Sequence, residues 1–241
     1  MLIATKGIVI HNVKYSDNSL ISNIYTEELG TCSFMIKNAF SKKSKINYSR
    51  LAPLSIVELH FNHHKSDISF LKEINFHYHF TLIPFDPVRY SILIFYNELL
   101  YKLLFQYGED RNLFHFLEKS IVELDSEEYS TADIHIKFMV RLSRIMGFFP
   151  ENNYSKKNCH FHLHDSAFQS LFFDNGDFLS KDASYYLNNI MQNIHTIHNM
   201  IAVPNKSIRN ELLHFLVKYF ELHHEGGKKI ESIEILSQIL N

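Results

Sequence analysis

The residue pattern changes between Pro84 and Pro87, and this change restricts the fold more than any other feature of the sequence. Before it, β-branched and aromatic residues dominate, and no helical period lasts beyond two turns. After it, apolar residues recur at helical spacing, with Asp86 placed as an N-cap and Pro87 at the first helical position. Strands followed by helices predict an α+β fold with the two kinds of element segregated along the chain.

Five strands are predicted in the first 80 residues, separated by turn residues and one polar connection over residues 38–50. Their predicted bounds are Ile3–Lys14, Leu20–Thr26, Thr31–Lys37, Leu54–Phe61 and Ile68–His79. Gly30 supplies the backbone freedom that a hairpin turn needs, and Gly7 is predicted to mark a kink or bulge. This arrangement predicts a five-stranded OB-type β-barrel.

The remaining sequence predicts a helical domain, in which the first helix is apolar nearly all round and therefore central and buried. Its predicted helices are Val88–Tyr107, Asp110–Leu124, Ser130–Met146, Ala183–Asn199, Ile208–His223 and Ile230–Leu240. Asp110 is expected to cap the second helix, and Ser130 with Asp133 resembles a capping box. The domains are predicted as an OB-fold domain over residues 1–82 and a helical domain over residues 83–241.

The interval from Leu29 to Val57 contains five cations and no Asp or Glu. Residues 1–80 hold nine Lys and Arg against six Asp and Glu, a net charge of +3, whereas the remainder has a net charge of −5. Such a basic segment predicts phosphate contacts, with an aromatic ring nearby as a stacking platform; the alternative is a solvated loop. The candidate nucleic-acid-binding residues are Lys37, Lys42, Lys43, Lys45, Arg50 and Tyr48, with Phe40 as a second possible platform.

A second basic set, Lys137, Arg141 and Arg144, falls on one face of the third predicted helix. It is a candidate extension of the phosphate track or a site for an acidic peptide. The alternative is ordinary solvated surface, because charges at this spacing are common on exposed helix faces.

Composition and motifs argue against several classes of protein. Two cysteines, Cys32 and Cys159, provide no disulfide framework, and no uncharged apolar run is long enough to span a membrane, so a cytoplasmic protein is expected. The sequence contains no phosphate-binding glycine loop, nucleophile elbow or paired acidic motif, so no enzyme activity is expected. A cluster over residues 159–177 leaves a metal-dependent enzyme as an alternative, although it contains no second ligand pair at the spacing of a zinc finger. Its candidate ligands are Cys159, His160, His162 and His164, with Asp165, Asp174 and Asp177 nearby.

Several segments together resemble the RecO family of bacterial recombination mediators in order and spacing. In the first 80 residues these are Lys6–Ile10, Lys14–Asp17, Ile21–Thr26, Glu28–Gly30 and the basic run Lys37–Lys45. In the remainder they are Tyr96–Leu100, Phe138–Leu142, Met146–Pro150, Tyr219–His223 and Ser232–Leu236. The resemblance extends over nearly the whole chain.

The resemblance implies an OB barrel on a helical domain that binds single- and double-stranded DNA and anneals complementary strands. It further implies work with RecR to help RecA replace single-strand-binding protein, whose acidic, hydrophobic tail would contact the helical domain. Nucleoid association in the cytoplasm follows from the same likeness. The alternative is a non-catalytic interaction module whose helical domain docks partner peptides without direct DNA binding.

One departure from the family pattern concerns metal. Many RecO proteins carry a four-cysteine zinc module after the Gly-aromatic-Pro segment, whereas residues 151–182 here contain only Cys159. We therefore expect no metal and no other cofactor. An irregular insert over residues 151–182, held by the aromatic rings between Phe172 and Phe178, is expected to replace the zinc module.

Overall fold

A computed structural model describes residues 2–41, 46–62, 68–194, 197, 200–224 and 229–240 of the 241-residue chain. Its first five strands form a closed barrel in the order β1-β2-β3-β5-β4. They are β1 (Leu2–Lys14), β2 (Ser19–Thr26), β3 (Gly30–Lys37), β4 (Ile56–Asn62) and β5 (Ile68–Phe76). The predicted five-stranded barrel of the OB type is confirmed.

The long first strand makes closure of the barrel possible, because β1 pairs antiparallel with both β2 and β4. The ring closes where β3 and β5 pair in parallel, with Met35 opposite Phe70. Apolar side chains from all five strands fill the interior, as alternation along half-buried strands requires. The interior residues include Val9, Ile24, Phe34, Leu59, Phe61 and Ile74.

The two glycines of the barrel have different roles. Gly30 has a φ of +69° at the β2–β3 turn, as the sequence predicts. Gly7 was predicted to mark a kink or bulge, and this is wrong, since Gly7 pairs regularly with Thr26 and Val57. A Cβ atom at Gly7 would lie 2.6 Å from Ile24 Cγ2, so the glycine instead makes room for the core. The bulge of β1 lies further along, between Val9 and His11.

Two helices follow the barrel, and both begin as predicted. They are α1 (Pro87–Leu103), capped by the Asp86 carboxylate, and α2 (Arg111–Leu124), capped by the Asp110 carboxylate. Helix α1 ends four residues before the predicted end at Tyr107. The carbonyls of Leu104 and Tyr107 instead accept hydrogen bonds from the side chain and the backbone N–H, respectively, of Thr31 on β3.

Asp125, the residue that follows α2, also fixes the connection between β5 and α1. Asp125 is 3% exposed, and its carboxylate accepts hydrogen bonds from the backbone N–H groups of Thr81, Leu82 and Ile83. Tyr78 Oη donates a further bond of 3.0 Å. One buried carboxylate thus provides the hydrogen-bond acceptors for three backbone N–H groups in a segment that belongs to no strand.

The second half of the chain contains four helices and one hairpin among its described residues. They are α3 (Ile134–Ile145), β6 (His160–His162), β7 (Ala167–Gln169), α4 (Lys181–Gln192), α5 (Lys206–His223) and α6 (Ser232–Ile239). The predicted capping box of α3 is wrong, because α3 begins after Asp133 without a side-chain cap. Asp133 Oδ2 accepts instead from the backbone N–H of Val203. Helix α4 ends at Gln192, seven residues before the predicted end.

Residues 151–182 combine a hairpin with irregular segments. Phe161 on β6 packs against Phe168 on β7 and against Phe215 and Tyr219 of α5, with ring centroids 5.1 to 6.0 Å apart. The rings of Phe172 and Phe173 both pack against Phe178. Aromatic contacts of this kind stabilise a small segment that has few other buried side chains.

The chain divides into two compact units, Met1–Ser126 and Glu127–Asn241. Compactness therefore groups α1 and α2 with the barrel, while the predicted domain boundary after residue 82 stays a prediction. Within the described ranges, none of the helices has the length and apolar character needed to cross a membrane.

Candidate nucleic-acid interface

The predicted basic connection leaves the barrel at the end of β3. Asn38 has a φ of +56°, and the backbone N–H of Ala39 donates to the carbonyl of Asn18, so the chain turns away from the strand. Asparagine tolerates this left-handed conformation better than most residues. The connection ends in a 3₁₀ turn, Tyr48–Leu51, which Asn47 caps by accepting from the Ser49 N–H.

Lys37 lies at the end of β3 and presents its side chain on the outside of the barrel. Its ammonium lies 5.0 Å from the ring centroid of Phe70 on β5, within cation–π range. Phe70 is 51% exposed, so one face of the pair is open to solvent. This pair offers a phosphate ligand beside a ring on which a base can stack.

Phe40 and Tyr48 form a second exposed aromatic pair. Their ring centroids are 5.6 Å apart at 45°, and the side chains are 48% and 49% exposed. Mutual packing fixes the orientation of both rings, which lowers the entropy cost of using either as a platform. The exposure of Tyr48 leaves its ring accessible, and its role as a stacking residue stays a prediction.

Arg50 is held to the barrel. Its Nη1 donates 2.7 Å to the carbonyl of Ile74 on β5, and the residue is half-buried. A guanidinium carries five N–H donors, so a phosphate oxygen can bind to the others. Arg50 thus combines a structural contact with the capacity for an anion contact.

We use the name barrel surface for Lys37 with Phe70, on β3 and β5, and for Tyr48 with Arg50, in the 3₁₀ turn that Arg50 ties to β5. Its cations have no acidic neighbours along the chain from Leu29 to Val57. The predicted residues Lys42, Lys43 and Lys45 belong to the same interval but lie outside the described residues. The barrel surface can bind a polyanion that carries flat rings, which is the chemistry of a single nucleic-acid strand.

The second predicted basic set is divided by the fold. Lys137 is 8% exposed, and its Nζ lies 3.1 Å from Asp133 Oδ1, so its charge is used in a buried ion pair. Arg144 is exposed and lies over the ring of Phe149, whereas Arg141 is half-buried. The continuous exposed face predicted from the helical spacing is therefore reduced, because α3 turns Lys137 into the interior.

The histidines near Cys159 bind to protein groups. His160 contacts the carbonyl of Leu179, His162 Nδ1 lies 2.8 Å from Asp165 Oδ2, and His164 Nε2 lies 3.8 Å from Asp177 Oδ1. Across the described residues, no three His, Cys, Asp or Glu side chains come together as ligands for one metal ion. Cys159 is a free, half-buried thiol.

Sequence reasoning missed Phe70. The residue falls inside a predicted strand rich in apolar side chains, where an aromatic is usually part of the core. Alternation in the sequence points the wrong way, because Ile68 and Phe70 flank the polar Ser69 and are expected inward, whereas the structure buries Ser69 and exposes Phe70. A bulge in β5 opposite His60 and Phe61 disturbs that alternation, so the pattern alone did not identify the outward face.

Comparison with known proteins agrees with this architecture. Residues 1–80 match the family model for the N terminus of recombination protein O, and residues 84–230 match the model for its C terminus. The chain belongs to the RecO family. It is 32% identical to the DNA repair protein RecO of Phocaeicola vulgatus and 30% identical to that of Bacteroides fragilis, over the full length of both chains. It is 31% identical to RecO of Christiangramia forsetii, covering 99% of each chain.

RecO membership makes this chain a DNA repair protein with an OB-type barrel. The resemblance inferred from the sequence segments is thereby confirmed. The alternative, an interaction module that makes no contact with DNA, is not favoured by membership in a family of DNA repair proteins.

Proposed function

We propose that this RecO protein binds single- and double-stranded DNA through the barrel surface and acts by binding, without catalytic chemistry. The observation that carries the proposal is the Lys37 ammonium beside the exposed ring of Phe70, together with Arg50 and the exposed ring of Tyr48 in the 3₁₀ turn that ends the basic connection. Lys42, Lys43 and Lys45 are proposed as further phosphate ligands. DNA affinity then depends on counterion release and not on base-edge contacts.

Annealing of complementary strands follows from the same chemistry. Neutralised phosphates lower the repulsion between two strands, and base pairing then provides the specificity. We further propose that the protein works with RecR to help RecA load on single-stranded DNA in the nucleoid. The helical domain, residues 83–241, would bind the tail of single-strand-binding protein, and residues 151–182 would replace the zinc module without a metal.

A titration of a fluorescent oligonucleotide by anisotropy, repeated at two salt concentrations, tests the proposal. We expect binding to both single strands and duplex, with affinity falling as salt rises, at about 0.7 log units of affinity per log unit of salt for each single-strand phosphate contact. An annealing assay with complementary labelled strands should show pairing faster than that of free strands. Salt-independent or undetectable DNA binding would refute the proposal and would favour a role limited to protein partners.

A further inference from the structure

A cavity of about 360 Å³ lies beside Tyr48 in the first compact unit. Its walls come from Ile10 and His11 on β1, from Leu51 at the end of the 3₁₀ turn and Pro53 after it, and from Asn97 on α1. Ligand cavities in proteins measure about 300 to 1,000 Å³. This cavity is at the small end of that range, so it suits one flat ring system and not a larger ligand.

The cavity is formed where β1 bulges. Val9 pairs with Ile24 and His11 pairs with Asn23, which leaves Ile10 as an extra residue on β1. A bulge redirects the neighbouring side chains and interrupts the hydrogen-bond ladder. The side-chain N–H of Asn97 donates 2.8 Å to the carbonyl of Ile10 and thereby compensates for the interruption. This contact directs the amide nitrogen to the bulge and leaves the amide oxygen of Asn97 as an acceptor.

The polar groups of His11 are available to a ligand. One face of the imidazole packs on the ring of Tyr101, with centroids 4.2 Å apart at 31°. Burial lowers the pKa of His11, so its ring is neutral at pH 7 and provides one donor and one acceptor. No group in the described part of the protein is hydrogen-bonded to the ring nitrogens of His11.

The segment that follows Pro53 is held against β1 by backbone hydrogen bonds. The backbone N–H of Leu54 donates 2.9 Å to the carbonyl of Val9, and the N–H of Val9 donates 3.1 Å to the carbonyl of Ser55. Leu54 is fully buried at a φ of +54°, a conformation that leucine adopts only where packing imposes it. The cavity is therefore preformed and does not depend on a ligand for its shape.

The chemistry of the cavity matches a nucleobase. Apolar side chains such as Leu51 and Pro53 suit the faces of a flat ring, whereas His11 and Asn97 offer hydrogen bonds to its edge. None of the described residues that line the cavity carries a charge, so it is not built for a phosphate. Tyr48 belongs both to the cavity wall and to the barrel surface, so a strand stacked on Tyr48 passes the entrance.

We propose that this cavity receives one unstacked base of a single strand whose phosphates lie along the barrel surface. The inference rests on the proposed function, because the strand brings the base to the cavity. Bases in a duplex are paired and stacked, so the cavity is used by single strands alone. It gives the protein a preference for single strands that phosphate contacts do not supply.

Filling the cavity tests the proposal without changing charge. Ala52→Phe and Ser49→Phe each place a ring into the cavity from positions on its wall. Asn112→Phe, at an exposed position on α2 outside the cavity, is the matched control. We expect either cavity variant to lower affinity for a short oligothymidylate about tenfold, the typical effect of losing one base contact. Affinity for duplex and the slope of affinity against salt should stay unchanged, because no phosphate contact is lost.

The outcomes separate this proposal from the proposed function. If the unmodified protein binds no DNA, both fail. If it binds DNA and folded cavity variants bind single strands as tightly as Asn112→Phe, only the cavity proposal fails.

A measurement on the unmodified protein avoids any dependence on the folding of variants. A strand containing 2-aminopurine should have part of its emission shielded from acrylamide in the complex, because the walls of the cavity cover a base that lies in it. Emission that is fully open to the quencher at every labelled position would overturn the proposal.

Discussion

Replacing Asp125 with Asn should destabilise the first compact unit, although the two side chains have nearly the same shape. Asp125 Oδ1 accepts from the N–H groups of Leu82 and Ile83, and Oδ2 accepts from the N–H of Thr81 at 2.7 Å and from Tyr78 Oη at 3.0 Å. An asparagine keeps one oxygen but places an NH₂ group where Oδ2 was. The NH₂ group cannot accept from the Thr81 N–H, which is then left without an acceptor.

The magnitude follows from these contacts. Loss of a charge-assisted hydrogen bond and creation of a buried N–H without an acceptor each cost about 1.5 kcal/mol, so the free energy of unfolding should fall by about 3 kcal/mol. A change of that size lowers the Tm of a unit of this length by roughly 10 °C. The expected shift is measurable by circular dichroism or calorimetry at pH 7.

The pH dependence provides a second check. Burial alone raises the pKa of Asp125, but the N–H groups of Ile83, Thr81 and Leu82 outweigh it and hold the pKa below its ordinary value of 3.8. The carboxylate therefore contributes stability above pH 3.8, and this contribution is lost as pH falls through the lower pKa of the folded state. The difference in Tm between the unmodified protein and Asp125→Asn should shrink below about pH 4.

The control is Asp17→Asn, which changes a carboxylate whose side chain is fully exposed at the β1–β2 turn. It should leave the Tm unchanged. An Asp125→Asn protein with an unchanged Tm, or a difference in Tm that is the same at pH 7 and pH 3, would refute the hydrogen-bonding account.

Two further substitutions probe the backbone and the core. Gly30→Ala should lower the free energy of unfolding by about 2 to 4 kcal/mol in urea titrations. The φ of Gly30 is +69°, and a Cβ atom there would overlap backbone atoms of Tyr107 and Gly108. The control is Gly108→Ala, which should change the stability little because the new Cβ has open space around it. His135 is buried without a hydrogen-bond partner among the described residues, and burial, with a smaller effect of Arg209, lowers its pKa from 6.5 to about 3. Between pH 6.5 and pH 3, the unfolded state therefore binds a proton at His135 that the folded state does not bind, and this destabilises the fold as the pH falls. His135→Leu should remove that part of the acid destabilisation, which urea titrations at pH 7 and pH 5 would measure. An identical pH dependence of stability in both proteins would contradict this.

Local signals in the sequence identified most elements of the fold. Asp86 and Asp110 cap α1 and α2 as predicted, since a carboxylate before an apolar helical repeat satisfies the free N–H groups of the first turn. Signals that depend on tertiary contacts were missed. The end of α1 is decided by Thr31 from another element, and Asp133 bonds to Val203 instead of capping its own helix.

The same division applies to the candidate site. The absence of Asp and Glu between Leu29 and Val57 is read directly from the sequence. The exposure of Tyr48 follows from its local position in the 3₁₀ turn after the basic connection. The burial of Lys137 and the exposure of Phe70 depend on tertiary structure, because they are decided by which face of α3 and of β5 packs against other elements. The cavity beside Tyr48 could not be predicted at all, because it requires the bulge of β1 and its contact with Asn97.

The most direct test of the central claim is the salt dependence of single-strand binding by Lys42→Glu combined with Lys43→Glu and Lys45→Glu. The matched control replaces Lys156, Lys157 and Lys181, exposed in the second unit, with Glu, which changes the net charge by the same amount. We predict that the first variant binds several-fold more weakly and that its slope of log affinity against log salt is lower by about 2, from three lost contacts of about 0.7 each. The control should keep both values. Unchanged affinity and slope in a folded first variant would contradict the account and would place the DNA elsewhere on the protein.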